Sequence, residues 1–107
     1  MTITSKTEYI GNLRTRSEHL KSGTLAESDA PGDNNGKGQL FSPTDLVATA
    51  LSKCMITVMG LKAEKSGIVF SNISANTTKI MLSNPRRIGK IVVEFYIKED
   101  WSDKEKK

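Results

Sequence analysis

Apolar residues recur along this chain with two periods, and the change of period marks its elements. From Ser42 to Gly67 the spacing is helical: Val47, Ala50, Leu51, Cys54, Val58 and Leu61 fall on one stripe. Leu46, Met55, Ile56 and Met59 widen it until only a narrow polar strip remains, at Thr49, Ser52, Lys53 and Thr57. A helix apolar over most of its girth is expected to be buried on several sides. Ser42 suits the N-cap and Pro43 the first helical position, and Asp45, three residues after the cap, meets the positive end of the dipole. Gly67 is expected to stop the helix in a left-handed conformation, behind Lys62 and Lys65. At ~1.5 Å per residue the helix is about 36 Å long. A 100-residue globule has a radius of gyration of only ~13 Å. The helix therefore nearly crosses such a domain and leaves apolar surface, which a second subunit covers most simply.

Elsewhere the period is two. Glu8 to Leu20 reads as one strand, with Tyr9, Gly11, Leu13 and Thr15 on one face and Ile10, Asn12, Arg14 and Arg16 on the other. Ser22-Gly23 predicts a turn, and Thr24–Ala26 a short return strand, giving an N-terminal hairpin. Residues 29–38, DAPGDNNGKG, form a loop by composition. After Gly67, Ile68 to Leu82 is a strand with Val69, Ser71, Ile73, Ala75 and Thr77 on one face. Ser83-Asn84-Pro85-Arg86 is a turn, and Ile91, Val93, Phe95 and Ile97 define the clearest strand. The fold class is α+β: an N-terminal hairpin, a long central helix, then two antiparallel strands. Ser102-Asp103-Lys104-Glu105 is a capping box that announces a further helix, and the sequence stops two residues later.

Composition narrows the class. The 107 residues suit a single domain, and 36% hydrophobic with 26% charged residues suits a soluble one. No apolar run approaches the ~20 residues of a membrane span, and the first residues lack the apolar core of a signal peptide. A single cysteine fits a reducing compartment, so a cytoplasmic location is expected and a membrane is not. The net charge of +4 is scattered apart from Arg86-Arg87 and the closing Lys104, Lys106 and Lys107. That pattern reads as a solvated surface, not a nucleic-acid face.

Cys54 is the residue with the most chemistry. A lone cysteine on an apolar stripe is ordinarily a small hydrophobe. Burial among apolar groups raises its pKa, so reactivity requires a cation or donor from elsewhere. Arg14 and Arg16, on one face of the first strand, are the candidates. His19 is the only histidine, and a Cys–His pair is the weaker alternative. One Cys and one His do not make a metal site. Asp29, Asp33 and Asp45 lack the spacing of a calcium loop, and the loop glycines lack a phosphate-cradling pattern. No cofactor is expected.

The run DAPGDNNGKGQLFSPTDLVATALSKCMITVMGLKAEKSG resembles the OsmC/Ohr family, in its OsmC-like branch. The likeness extends from Tyr9 to about Trp101. It rests on the DAP…DN.GKG loop, the Ser-Pro-Thr-Asp-Leu helix entry, the cysteine that follows and the order of elements. The resemblance implies intertwined homodimers that reduce organic hydroperoxides, with sites at the subunit interface. It makes Cys54 the peroxidatic thiol, oxidised by a small organic hydroperoxide to a sulfenic acid. It implies that an N-terminal arginine, Arg14 or Arg16, stabilises the thiolate.

Two departures accompany the resemblance. The family places a glutamate after the proline of the helix entry, paired with that arginine; here the position is Thr44. The family's resolving cysteine lies on a later helix, which by spacing falls past Lys107, so a C-terminally truncated chain and an external thiol reductant are expected. Two readings follow: a thiol peroxidase-like protein, or a non-enzymatic dimeric binding protein of the same fold.

Overall fold

The structure is a computed structural model that describes residues 2–32 and 36–98. Its elements run β1 (Ser5–Gly11), β2 (Arg14–His19), β3 (Leu25–Asp29), α1 (Pro43–Ser66), β4 (Ile73–Leu82) and β5 (Arg87–Ile97). This is the expected α+β order. The chain divides into two units, one up to Leu46 and one from Val47 onward. The capping box at Ser102 lies outside the described residues.

The first unit holds an antiparallel meander in the order β1-β2-β3. The single strand expected from Glu8 to Leu20 is broken into two by a tight turn. Gly11, Asn12 and Leu13 have φ of 91°, 57° and 62°. Positive φ is uncommon for leucine, and bonds on both sides hold it here. The Leu13 N–H donates to the Tyr9 hydroxyl at 3.2 Å, and its carbonyl accepts from the Ala30 N–H at 3.0 Å. The second turn falls where Ser22-Gly23 predicts it: Gly23 has φ 77° and donates to the His19 carbonyl. The return strand is longer than the expected Thr24–Ala26 and reaches Asp29. The expected hairpin is thus present and forms part of a three-stranded sheet.

The loop that follows folds back on itself. Gly36 N–H donates to the Pro31 carbonyl and Gly38 N–H to the Ala30 carbonyl. A Cβ at Gly36 would run into the Ala30 carbonyl, so this position requires glycine.

α1 begins and ends as its sequence dictates. Ser42 Oγ accepts from the Asp45 N–H at 3.0 Å, and Asp45 Oδ2 accepts from the Ser42 N–H at 3.0 Å. This is a reciprocal capping box with aspartate at N3. At the other end Gly67, φ 69°, donates to the Glu64 carbonyl while Ile68 N–H donates to the Ala63 carbonyl. That pair of bonds is the Schellman stop.

The faces of α1 correct the expectation of burial on several sides. Its buried residues are Ala48, Ser52 and Ala63. Ser52, expected on the polar strip, is covered and turns its hydroxyl onto the Thr49 carbonyl at 2.8 Å. The stripe of Val47, Leu51, Cys54, Val58 and Leu61 is exposed instead, with Val58 at 59% and Leu61 at 54%. By length and composition alone α1 is also long and apolar enough to cross a membrane, although its sequence holds no unbroken apolar run of that length.

The second sheet pairs β4 with β5. β4 starts at Ile73, later than the expected Ile68, and β5 starts at Arg87, earlier than Ile91. The register brings Ile73, Ala75 and Thr77 opposite Ile97, Phe95 and Val93, so the expected apolar face is formed. No residue of this hairpin is buried within the chain. Ala48 and Ala63 are the buried apolar residues among those described.

Candidate functional site

The polar centre of the first unit is built where β2 and β3 pair. The register sets Arg14 opposite Asp29 and Arg16 opposite Glu27. Arg14 grips Asp29 along one edge of its guanidinium: Nε donates to Oδ1 at 3.1 Å and Nη2 to Oδ2 at 3.3 Å. Nη2 also donates to Gln39 Oε1 at 2.6 Å, and the Gln39 N–H donates to Asp29 Oδ2 at 3.2 Å. The Asp29 side chain is 0% exposed and that of Arg14 is 28% exposed. The Asp29 N–H donates to the Phe41 carbonyl, which ties the end of β3 to the segment entering α1.

This geometry fixes the charge states. Hydrogen bonding from Arg14 holds the Asp29 carboxyl below its ordinary pKa, against the opposing effect of burial. The Gln39 N–H and the charges of Arg14 and Lys37 act in the same direction as that bond. The bond to Asp29 likewise raises the Arg14 guanidinium above its ordinary value. The pair is ionised across the working range of pH.

Arg16 differs. It lies 3.9 Å from Glu27, and both side chains are exposed, at 47% and 42%. It shares an open, charged surface with Lys6, Glu8 and Glu18. His19 Nδ1 pairs with the Ser22 hydroxyl at 2.6 Å, within its own turn. Thr44, at the position of the family glutamate, is half-buried with its Oγ1 3.2 Å from Ser42 Oγ. Cys54 stands in the second unit, midway along α1, free and exposed. The expectation of a cysteine inert through burial therefore does not apply within the chain.

The structure brings Arg14 together with Asp29 and Gln39, neither of which the sequence reading connected with it. The signal was the register. Once turns are placed at Asn12-Leu13 and Ser22-Gly23, Arg14 and Asp29 fall opposite each other. Among the described residues, no group of three or more His, Cys, Asp or Glu side chains is arranged to hold a metal ion.

No family model and no curated protein matches the chain. Among solved structures, it is similar to the crystal structure of a Psychrobacter arcticus protein, assigned there as an osmotic stress induced and detoxification response protein. The two share 42% identity with a TM-score of 0.93, over 99% of this chain and 77% of the other.

Proposed function

The chain belongs to the OsmC-like family of that osmotic-stress and detoxification-response protein, and on this premise we propose that it is a thiol-dependent peroxidase acting on organic hydroperoxides through Cys54. The observation that carries the reading is the free, exposed thiol in the middle of α1, behind a helix entry of the family's type. The Cys54 thiolate attacks one peroxide oxygen. An S–O bond forms, the O–O bond breaks, and the departing alkoxide takes a proton to leave as the alcohol. Sulfur is oxidised by two electrons to the sulfenic acid. One external thiol then condenses with the sulfenic acid, releasing water and forming a mixed disulfide. A second thiol attacks that disulfide and returns Cys54 to the reduced state.

Arg14 is the arginine assigned to the thiolate. Its guanidinium is fixed at three acceptor contacts, whereas Arg16 is exposed and loosely paired. A guanidinium held in place stabilises a developing anion without reorganising.

The working unit in this proposal is a cytoplasmic homodimer. Two copies would cover the apolar stripe of α1, where each large side chain removed from water contributes about 1.5–3 kcal/mol. Lys53, Lys62 and Lys65 punctuate the helix and favour a protein partner over lipid.

The test is consumption of a small organic hydroperoxide in the presence of dithiothreitol. The expected result is turnover by the wild type that is lost in Cys54→Ser. Equal rates in both proteins would end the proposal. Thr44 in place of a glutamate favours the second reading, a non-enzymatic binding protein of this fold. That reading predicts no turnover in either protein and saturable binding of a small apolar ligand by both.

A further inference from the structure

We propose that the turn end of the β4–β5 hairpin is a docking surface for an anionic phospholipid membrane. The proposal goes beyond the peroxidase reading, does not depend on it, and lies wholly within the hairpin.

The positive charge of the chain is unevenly placed. Residues 73–98 hold five cations, Lys79, Arg86, Arg87, Lys90 and Lys98, against one acid, Glu94. That segment alone has a surplus equal to the +4 of the whole chain. Arg86, Arg87 and Lys90 crowd the turn, whereas Glu94 lies opposite Asn76, farther from it.

The register sets aliphatic side chains among these cations. Leu82 lies opposite Arg87 and Ile80 opposite Lys90, and the irregularity between Ile80 and Met81 takes up the extra residue of β5. Directly paired residues share a face of the sheet, so these four stand together. All four are exposed, Ile80 and Leu82 each at 43%. The apolar face that carries Ala75 and Phe95 is the opposite one, so the two faces do not compete for a partner. Arg87 is already oriented: its Nη1 donates to the Ser83 carbonyl at 3.1 Å and to the Pro85 carbonyl at 2.8 Å. Its Nε and Nη2 have no hydrogen-bond partner among the described residues.

Cations interleaved with exposed aliphatic groups match a membrane surface. The charges meet lipid phosphates, and the aliphatic groups enter the boundary below the headgroups. A nucleic acid would leave Ile80 and Leu82 unused. It would also lack a stacking platform, because the aromatic residue on this face, Tyr96, lies opposite Ser74 toward the other end of the hairpin. The contact is peripheral and is not a span.

The experiment is co-sedimentation of the full chain with vesicles of mixed phosphatidylglycerol and phosphatidylcholine, and with vesicles of phosphatidylcholine alone. It compares wild type, Arg87→Glu/Lys90→Glu, Ile80→Ser/Leu82→Ser, and Lys6→Glu/Lys21→Glu, which makes the same change of net charge on the first unit. Circular dichroism checks folding, and Lys90→Glu alone replaces the first variant where reversal at Arg87 disturbs the turn. Wild type is expected to bind the anionic vesicles alone and to be released by high salt. Reversal at the hairpin is expected to weaken binding at least about thirtyfold, as the loss of two cations near an anionic surface would. The serine variant is expected to bind more weakly and to keep its salt dependence, and the first-unit reversal to bind nearly as wild type does. No binding of wild type to anionic vesicles at low salt would overturn the proposal. An equal loss from the first-unit reversal would overturn it too, leaving only an effect of net charge. So would release of the protein from vesicles by a single-stranded oligonucleotide at equal phosphate concentration, which would identify a nucleic acid as the better partner.

Discussion

In the N-terminal sheet, polar side chains find their partners on the neighbouring strand. Thr7 meets Ser17, Thr15 meets Ser28 and Arg14 meets Asp29, each directly across the ladder. In the helix–hairpin unit the corresponding resource is apolar, and it is left open. Val47, Leu51, Val58 and Leu61 line an exposed stripe around Cys54, and neither β4 nor β5 buries a residue. The first unit is organised by directional bonds across its ladder, although it too exposes large apolar side chains, among them Ile3, Tyr9, Leu25 and Phe41. The second is organised by non-directional apolar surface, which stays unsatisfied until something covers it. In the proposed account the division is functional: one unit fixes a cation, and the other carries the thiol on a face made for a partner.

The sharpest break of this contrast is chemical. Cys54→Ser is expected to remove hydroperoxide consumption entirely, read as peroxide remaining against time. Next comes assembly. Val58→Asp places a charge in the middle of the open stripe and is expected to convert a dimer of 11.8 kDa chains to monomers in sedimentation equilibrium. A wild type that sediments as a monomer would show the stripe to be uncovered in solution.

The polar side of the contrast is tested by pH. Asp29 has a lowered pKa in the fold, so its contribution to stability is present above the unfolded carboxylate value of ~3.9 and is lost as pH falls through the folded value. Arg14 has a raised pKa, so its contribution is present below its unfolded value and is lost only in strong alkali. Melting temperature is therefore expected to hold steady through neutral pH with respect to this pair and to fall under acid. Asp29→Asn should flatten the acid limb, read by circular dichroism at a series of pH values.

Helix ends give the smallest effects. Gly67→Ala puts a Cβ on a residue at φ 69° and is expected to cost about 1 kcal/mol. Ser42→Ala removes the acceptor for the Asp45 N–H and is expected to cost about the same. Thermal denaturation measures both.

What could be read from the chain divides along the same line. The ends of α1 are local chemistry, so Ser42, Asp45 and Gly67 announce them without reference to the rest of the molecule. The alternation of Ile91, Val93, Phe95 and Ile97 is equally local and gives the inner face of β5 directly. The turn at Asn12-Leu13 could not be read this way. Leucine does not choose positive φ, and it is held there by Tyr9 and by Ala30, residues brought up by the fold. The partner of Arg14 was hidden for a related reason, because it depends on the register of two successive hairpins. The covered side of α1 was misjudged because periodicity identifies an apolar stripe but not what covers it. Small residues, Ala48, Ser52 and Ala63, face the chain itself, and the larger apolar side chains face outward.

The central claim, that Cys54 is a peroxidatic thiol, is tested most directly by mixing the reduced protein with a small organic hydroperoxide at neutral pH and following intact mass. The account predicts rapid gain of one oxygen at Cys54 and none in Cys54→Ser. A wild-type thiol that stays reduced under the same conditions would contradict it.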